Sequence, residues 1–172
     1  KQKKEYIQLL ESLINHHDGI INNLIPDSKQ FTTEFINPIY KLISNICLGI
    51  YYLKDFSNKN SDYLLSNGEL LSNLIIYEYL KNEFKSNQIK LYNSTDYIIT
   101  DSFFTKANII ESITENNIVK LKNDIFDLAI CSGFIAKNEN GDITTIGRGG
   151  SDYSAAIYGA YLDVELVEIW TD

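Results

Sequence analysis

Thirteen residues, Thr144 to Ala156, constrain this chain more than any other stretch: Thr-Thr-Ile-Gly-Arg-Gly-Gly-Ser-Asp-Tyr-Ser-Ala-Ala. The β-branched lead-in predicts a short strand over 143–146. Gly147, Gly149 and Gly150 predict a turn, and Ser151 to Leu162 predicts a helix whose Ala155, Ala156, Gly159 and Ala160 permit close packing. Glycines let the backbone approach a ligand that a side chain would block, and the free N–H groups opening a helix favour negative charge. Arg148 inside such a turn can grip a carboxylate through two parallel hydrogen bonds, which a lysine does not reproduce. The segment lacks the Lys-Ser/Thr ending of the P-loop, and its glycines do not fit the dinucleotide fingerprint.

The rest of the chain supplies a domain around this turn. Its 172 residues suffice for one core, and 44% hydrophobic with 22% charged residues is ordinary for a globular protein. A net charge of -8 argues against nucleic acid as a partner. No apolar run reaches the length of a membrane span and no signal peptide is visible, so a cytoplasmic protein without a membrane partner is expected. Cys47 and Cys131 read as buried free thiols, and no metal site is expected, since neither has a second ligand at suitable spacing. His16-His17-Asp18 reads as a polar patch near a helix end. With no methionine anywhere and an end at Trp170-Thr171-Asp172, the sequence reads as a piece of a larger protein.

Periodicity divides the chain into two parts. Tyr6, Leu9, Leu10, Leu13 and Ile14, then Ile20 to Ile25, predict a helix ending at Pro26. Phe31 to Ile50 predicts a second helix that Pro38 kinks or restarts. Phe56 to Asp62 reads as a polar loop and Asp62 to Phe84 as a third helix. Beyond it, 88–92 and 97–100 predict strands, and 109–122 includes a helix. Phe126 to Ile135 predicts one continuous strand, Asn138 to Asp142 a hairpin turn, and Glu165 to Trp170 a closing strand. Strand, glycine turn, helix and strand form a βαβ-like unit, implying parallel strands between helical layers. The fold class expected is therefore α/β: a three-layer α/β/α sandwich with a largely parallel sheet and a helical N-terminal third.

The stretch 145–156, followed by Glu168-Ile169-Trp170-Thr171-Asp172, resembles aspartokinase of the amino-acid-kinase superfamily. Ser66-Asn67-Gly68-Glu69 is similar to that family's Ser-x-Gly-Glu helix, and Asp96 to Asp101 and Gly133-Phe134-Ile135 fall where related segments lie. His16-His17-Asp18 with Cys47 to Tyr51 is most similar to the kinase portions of bifunctional aspartokinase–homoserine dehydrogenases. The resemblance covers the whole chain and implies one partial kinase domain. Residues 1–86 form its mainly helical, substrate-side segment, and 87–172 its α/β segment.

The resemblance implies transfer of the ATP γ-phosphoryl group, with Mg2+, to the side-chain carboxylate of L-aspartate. That reaction opens lysine, threonine and methionine biosynthesis. Arg148 would hold a substrate carboxylate, with Gly149, Gly150 and Ser151 as donors beside it. Glu69 would meet the substrate ammonium and Phe134 would wall the pocket. Asp152 would organise the lysines that neutralise the transferring group, making Arg148 and Asp152 the catalytic pair. Thr171 and Asp172 would open the nucleotide-binding stretch. The full-length protein would be a homo-oligomer. The family's Lys-x-Gly-Gly segment and its second phosphate-binding lysine do not occur in these 172 residues, so the chain alone is expected to be inactive.

Each residue also has a plainer reading: Asp152 as a first-turn carboxylate, Glu69 as a solvated helix residue, Phe134 as core, Arg148 as a surface arginine. A sister kinase acting on glutamate or acetylglutamate, and a catalytically dead aspartate-binding or regulatory module, stand as alternatives. Gly-Arg-Gly-Gly-Ser-Asp speaks against the sister kinases, which carry other residues there.

Overall fold

The computed structural model describes residues 2–25, 27–84 and 88–170, with side chains from residue 5. Helix α1 (Gln2–Leu24) packs with α3 (Asn37–Leu53) and α4 (Asn58–Phe84) around Ile21, Ile25, Phe31, Ile36, Tyr40, Ile43, Leu71 and Ile75. Between α1 and α3 lie a single turn, α2 (Lys29–Phe31), and a π-helical segment, Thr32–Ile36. The π segment is the mark of Pro38. Proline has no N–H to give the preceding turn and its ring crowds that turn's carbonyl, so the helix widens and restarts with Pro38 in its first turn.

Helix α4 starts four residues earlier than the sequence predicts, and the loop before it shrinks accordingly. Ser57 caps it: its Oγ accepts the Asn60 N–H at 3.2 Å and its carbonyl accepts the Ser61 N–H at 3.0 Å. Lys54, at φ 57°, closes α3 in the left-handed region.

Five short strands follow among the described residues. β1 (Ile89–Tyr92) pairs parallel with β3 (Leu128–Cys131); β2 (Ile99–Thr100) pairs parallel with β4 (Ile135–Asn138). β5 (Ile143–Thr145) runs antiparallel to β4, with Ile135 opposite Thr145. The hairpin between them turns at Gly141, φ 85°, while Asn138 Oδ1 accepts the Asn140 and Asp142 N–H groups at 3.0 and 2.8 Å. Helices α5 (Glu111–Ile118) and α6 (Gly150–Leu162) cover one face of the strands around Tyr92, Ile98, Ile118, Leu121, Ala136, Ile157 and Tyr158. With α4 packed on β1, β3 and β5, the strands form two sheets, β1–β3 and β2–β4–β5, parallel except for β4–β5: the expected α/β sandwich with largely parallel strand pairing behind a helical N-terminal third.

Two predicted strands are corrected. Phe126 to Ile135 is two strands separated at 132–134, because the chain changes partners there: β3 lies beside β1, whereas β4 lies beside β2 and β5. Ser132 locks the break, its Oγ accepting the Ser94 N–H at 2.8 Å and its carbonyl accepting the Ser94 hydroxyl. Glu165 to Trp170 forms no strand. A strand exists only as part of a ladder, and none of the described strands pairs with this segment. It leaves α6 through Asp163 at φ 57°, lays Val167 on Gly159 and exposes Trp170. The βαβ unit expected there is accordingly not closed.

Buried neutral groups, Tyr92 and Cys131 among them, set an alkaline limit to the fold. Burial, with the hydrogen bond to Asp124 at 2.8 Å, pushes the Tyr92 hydroxyl up from 10.0 to about 12. Burial pushes the Cys131 thiol up from 9.0 to about 11. Both groups deprotonate sooner in the unfolded chain. Their contribution is complete below pH 9, falls as pH rises through the window between 9 and 12, and is absent above it. The urea midpoint is expected to be lower at pH 11 than at pH 8, with a smaller drop for Tyr92→Phe. Equal midpoints in the parent protein would contradict this.

Candidate functional site

Three segments distant in sequence meet where α6 begins. Glu69, on α4, directs Oε1 at the backbone of the β3–β4 break and accepts the Gly133 N–H at 2.7 Å. Asn73, one turn further along, donates to the same oxygen and to the Glu69 carbonyl, both at 2.9 Å, and so fixes the carboxylate. Oε2 carries no hydrogen bond among the described residues. At Gly133 a Cβ would stand 2.9 Å from Ser151 Oγ and 3.3 Å from Ser151 Cα, so only glycine lets the break touch the helix.

Phe134 is held at φ 47°, an uncommon conformation for an aromatic residue. Its N–H donates to Ser154 Oγ at 3.0 Å, and that hydroxyl donates to the Gly150 carbonyl at 2.8 Å. Its own carbonyl accepts the Ile146 N–H at 3.0 Å. A Cβ on Gly150 would lie 2.7 Å from Phe134 Cβ, so these two residues are in direct contact.

Glu69, Phe134, Gly150 and Ser151, four of the residues singled out from sequence, thus form one cluster. Gly149, at φ 74°, is the N-cap of α6 and offers no capping side chain. Among the described residues, the Ser151 and Asp152 N–H groups have no backbone partner. Arg148, Ser151 and Asp152 are exposed around them, and Arg148 and Asp152 make no side-chain hydrogen bond or ion pair within the described part. A positive side chain, open amides and a helix N-terminus form a rim suited to an anion. Thr171 and Asp172 lie outside the described residues.

A cleft of about 310 Å³ adjoins this rim, lined among others by Phe126, Cys131, Gly133, Ser151, Ser154 and Tyr158. Cys131, half-buried and free, is a neutral thiol at ordinary pH. Cys47 is also free and half-buried, so neither cysteine is as deeply buried as expected. Among the described residues no three His, Cys, Asp or Glu side chains are arranged to hold a metal ion. His17 instead bonds the Leu13 carbonyl at 2.8 Å and packs on the Tyr40 ring. No described helix is long and apolar enough to cross a membrane.

Asn73, Ser154 and Asp62 support the site and escape a reading by motif. Asn73 and Ser154 stand four residues after the groups they serve, so helical spacing contained that signal. Asp62 serves residues 43 and 83 positions away and carried no local signal.

The chain belongs to the amino acid kinase family, which it matches over residues 13–172. Relatives within that family include aspartokinases. A bifunctional aspartokinase/homoserine dehydrogenase of Buchnera aphidicola is 29% identical over 98% of this chain and 21% of its own length. Aspartokinase 1 of Bacillus subtilis is 38% identical over 73% of this chain and 31% of its own. The structure of Escherichia coli aspartokinase III in complex with aspartate and ADP superimposes with a TM-score of 0.86 at 27% identity, over 98% of this chain and 37% of that one. The chain therefore spans between a fifth and two fifths of the length of these relatives.

Proposed function

We propose that the full-length protein is an aspartate kinase that transfers the γ-phosphoryl group of ATP to the side-chain carboxylate of L-aspartate, the step that opens lysine, threonine and methionine biosynthesis. The observation that carries the reading is the convergence of Glu69, Gly133, Phe134 and Ser151 on the rim where Arg148 is exposed. An amino acid with an acidic side chain needs a carboxylate for its ammonium group and a cation for its own carboxylate. Glu69 Oε2 and Arg148 supply these two groups. The aspartate and ADP bound to the Escherichia coli relative support the same ligands here.

In this reading Arg148 orients a substrate carboxylate, and the Gly149 and Ser151 N–H groups donate to it from the opening of α6; the Gly150 N–H, which the sequence also offered, is taken by the Gly147 carbonyl at 3.0 Å. Phe134 excludes water from one side of the pocket. The substrate carboxylate is ionised at neutral pH, so the reaction calls for alignment and charge neutralisation and no general base. The Asp152 N–H, open at the N-terminus of α6 beside the groups given to the substrate, suits an anionic phosphoryl group, so the rim fits the transferring end of ATP next to the substrate carboxylate. When bound, ATP supplies that group and Mg2+ shields its phosphates. Asp152, on the same rim, would position the cations that neutralise it, and Thr171 and Asp172 would belong to the nucleotide side. Residues 1–86 and 87–172 are the two segments of one kinase domain under this proposal. Homo-oligomeric assembly and a cytoplasmic location belong to it as well.

The test is ADP release by the full-length protein with aspartate, glutamate or acetylglutamate as acceptor. Release that requires both aspartate and Mg2+ is expected. Turnover with another acceptor alone would assign a sister kinase. Aspartate binding without turnover would assign a dead binding module.

A further inference from the structure

We propose that Asp62 is the positioning residue that holds the Glu69 helix in register with the Arg148 turn, an assignment that rests on the aspartate-kinase reading. Asp62 is fully buried in α4, yet all of its hydrogen-bond donors among the described residues lie outside that helix. Oδ2 accepts the Thr105 N–H at 2.8 Å and the Thr145 N–H at 3.0 Å, and Oδ1 accepts the Thr145 hydroxyl at 2.8 Å. No cation pairs with it among the described residues. A carboxylate without a counter-charge is costly to bury, and these three donors are what compensate it.

The donors sit on either side of the Arg148 turn. Thr145 ends β5, three residues before Arg148. Thr105 belongs to the loop after β2 and adopts φ 70°, which a β-branched residue holds only under external constraint. Its carbonyl then presses on the turn itself: a Cβ on Gly147 would stand 3.0 Å from Thr105 O, and Gly147 is at φ 85°. Asp62 therefore fixes the strand leading into the turn and the loop buttressing it. Glu69 follows seven residues later, two turns along the same helix, and so projects from the same face. One carboxylate thus couples the two groups proposed to receive the ammonium and the carboxylate of the substrate. Its own bonds go to Thr105 and Thr145 and to neither Glu69 nor Arg148.

A purely structural carboxylate would lower the amount of folded enzyme and leave the aspartate KM of the folded fraction unchanged. A positioning residue would raise that KM and leave the ATP KM in place. In the full-length protein, Asp62→Ala is expected to reduce kcat/KM for aspartate by roughly 100-fold, chiefly through KM, because small misplacements of a gripping group act on that scale. Asp62→Asn should recover most of the loss, since its oxygen can accept both N–H groups while its amide donates to Thr145 Oγ1. If Asp62→Ala does not fold, Thr145→Val, which removes only the hydroxyl bond, is expected to raise the aspartate KM while leaving the ATP KM unchanged. An unchanged aspartate KM in the folded variant, with active wild-type enzyme, overturns the assignment of Asp62 alone. Wild-type protein without aspartate-dependent ADP release overturns the kinase reading, and the assignment with it.

Discussion

Replacing Arg148 by alanine in the full-length protein is expected to cut aspartate-dependent ADP release by roughly 30- to 1000-fold, about 2–4 kcal/mol of transition-state stabilisation. The reasoning begins with what Arg148 does not do. It is exposed and makes no hydrogen bond or ion pair with the described residues, so its removal leaves no buried partner unsatisfied. Stability should change by no more than about 0.5 kcal/mol, as for surface substitutions generally. The loss should therefore fall on aspartate turnover while the melting temperature stays near that of the parent. Arg148→Lys should recover only part of the activity, because an ammonium keeps the charge without the planar fork. A variant that turns over aspartate at the parental rate would remove Arg148 from the site.

The second large effect is expected at Gly150, where the added atom meets the rigid Cβ and Cα of Phe134. A Cβ there would stand 2.7 Å from Phe134 Cβ, 3.2 Å from Phe134 Cα and 3.3 Å from Ile146 Cβ. Phe134 cannot swing away easily, since its N–H is held by Ser154 and its carbonyl by Ile146. Gly150→Ala is expected to destabilise the fold by about 1–3 kcal/mol, the usual scale of overpacking, and to weaken aspartate binding by displacing Phe134. Alanine's greater helix propensity, worth about 1 kcal/mol at most, offsets part of the cost. Gly149→Ala is the contrast. It meets nothing within 4 Å, and its cost is backbone strain at φ 74°, on the order of 1–2 kcal/mol. Calorimetric titration of aspartate into both variants separates the two cases: Gly150→Ala should lose affinity well beyond Gly149→Ala. Equal affinities would show that Phe134 does not shape the pocket.

Much of the architecture was legible because it is written in local chemistry. The spacing of Tyr6, Leu9, Leu13 and Ile14 specified α1, and Pro38 announced the interruption that becomes a π segment. Asn140-Gly141 marked the β4–β5 hairpin, and the glycine-arginine turn with its small-residue helix located the candidate site. The cap at Ser57 was missed, because it lies in a stretch whose polar composition reads as loop.

Strand identity was not legible in the same way. Phe126 to Ile135 is mostly apolar, its Ser132-Gly133 pair is compatible with either a break or a continuous strand, and its division at Ser132–Phe134 follows from which neighbours each half pairs with. Glu165 to Trp170 has strand composition and forms none among the described residues, because a ladder requires a partner that composition cannot supply. By itself the sequence determined the helical third, the turn that opens α6 and the chemical groups available there, since each depends on residues within a few positions of one another. Only the tertiary structure decided that Glu69 meets Gly133, that Phe134 adopts a positive φ against Gly150, and that Asp62 grips Thr105 and Thr145. Those contacts span 43 to 83 residues in the three Asp62 bonds and 64 in the Glu69 bond. At such separations the donor and acceptor types are common throughout the chain, and only the packing of α4 against the strands selects which of them meet.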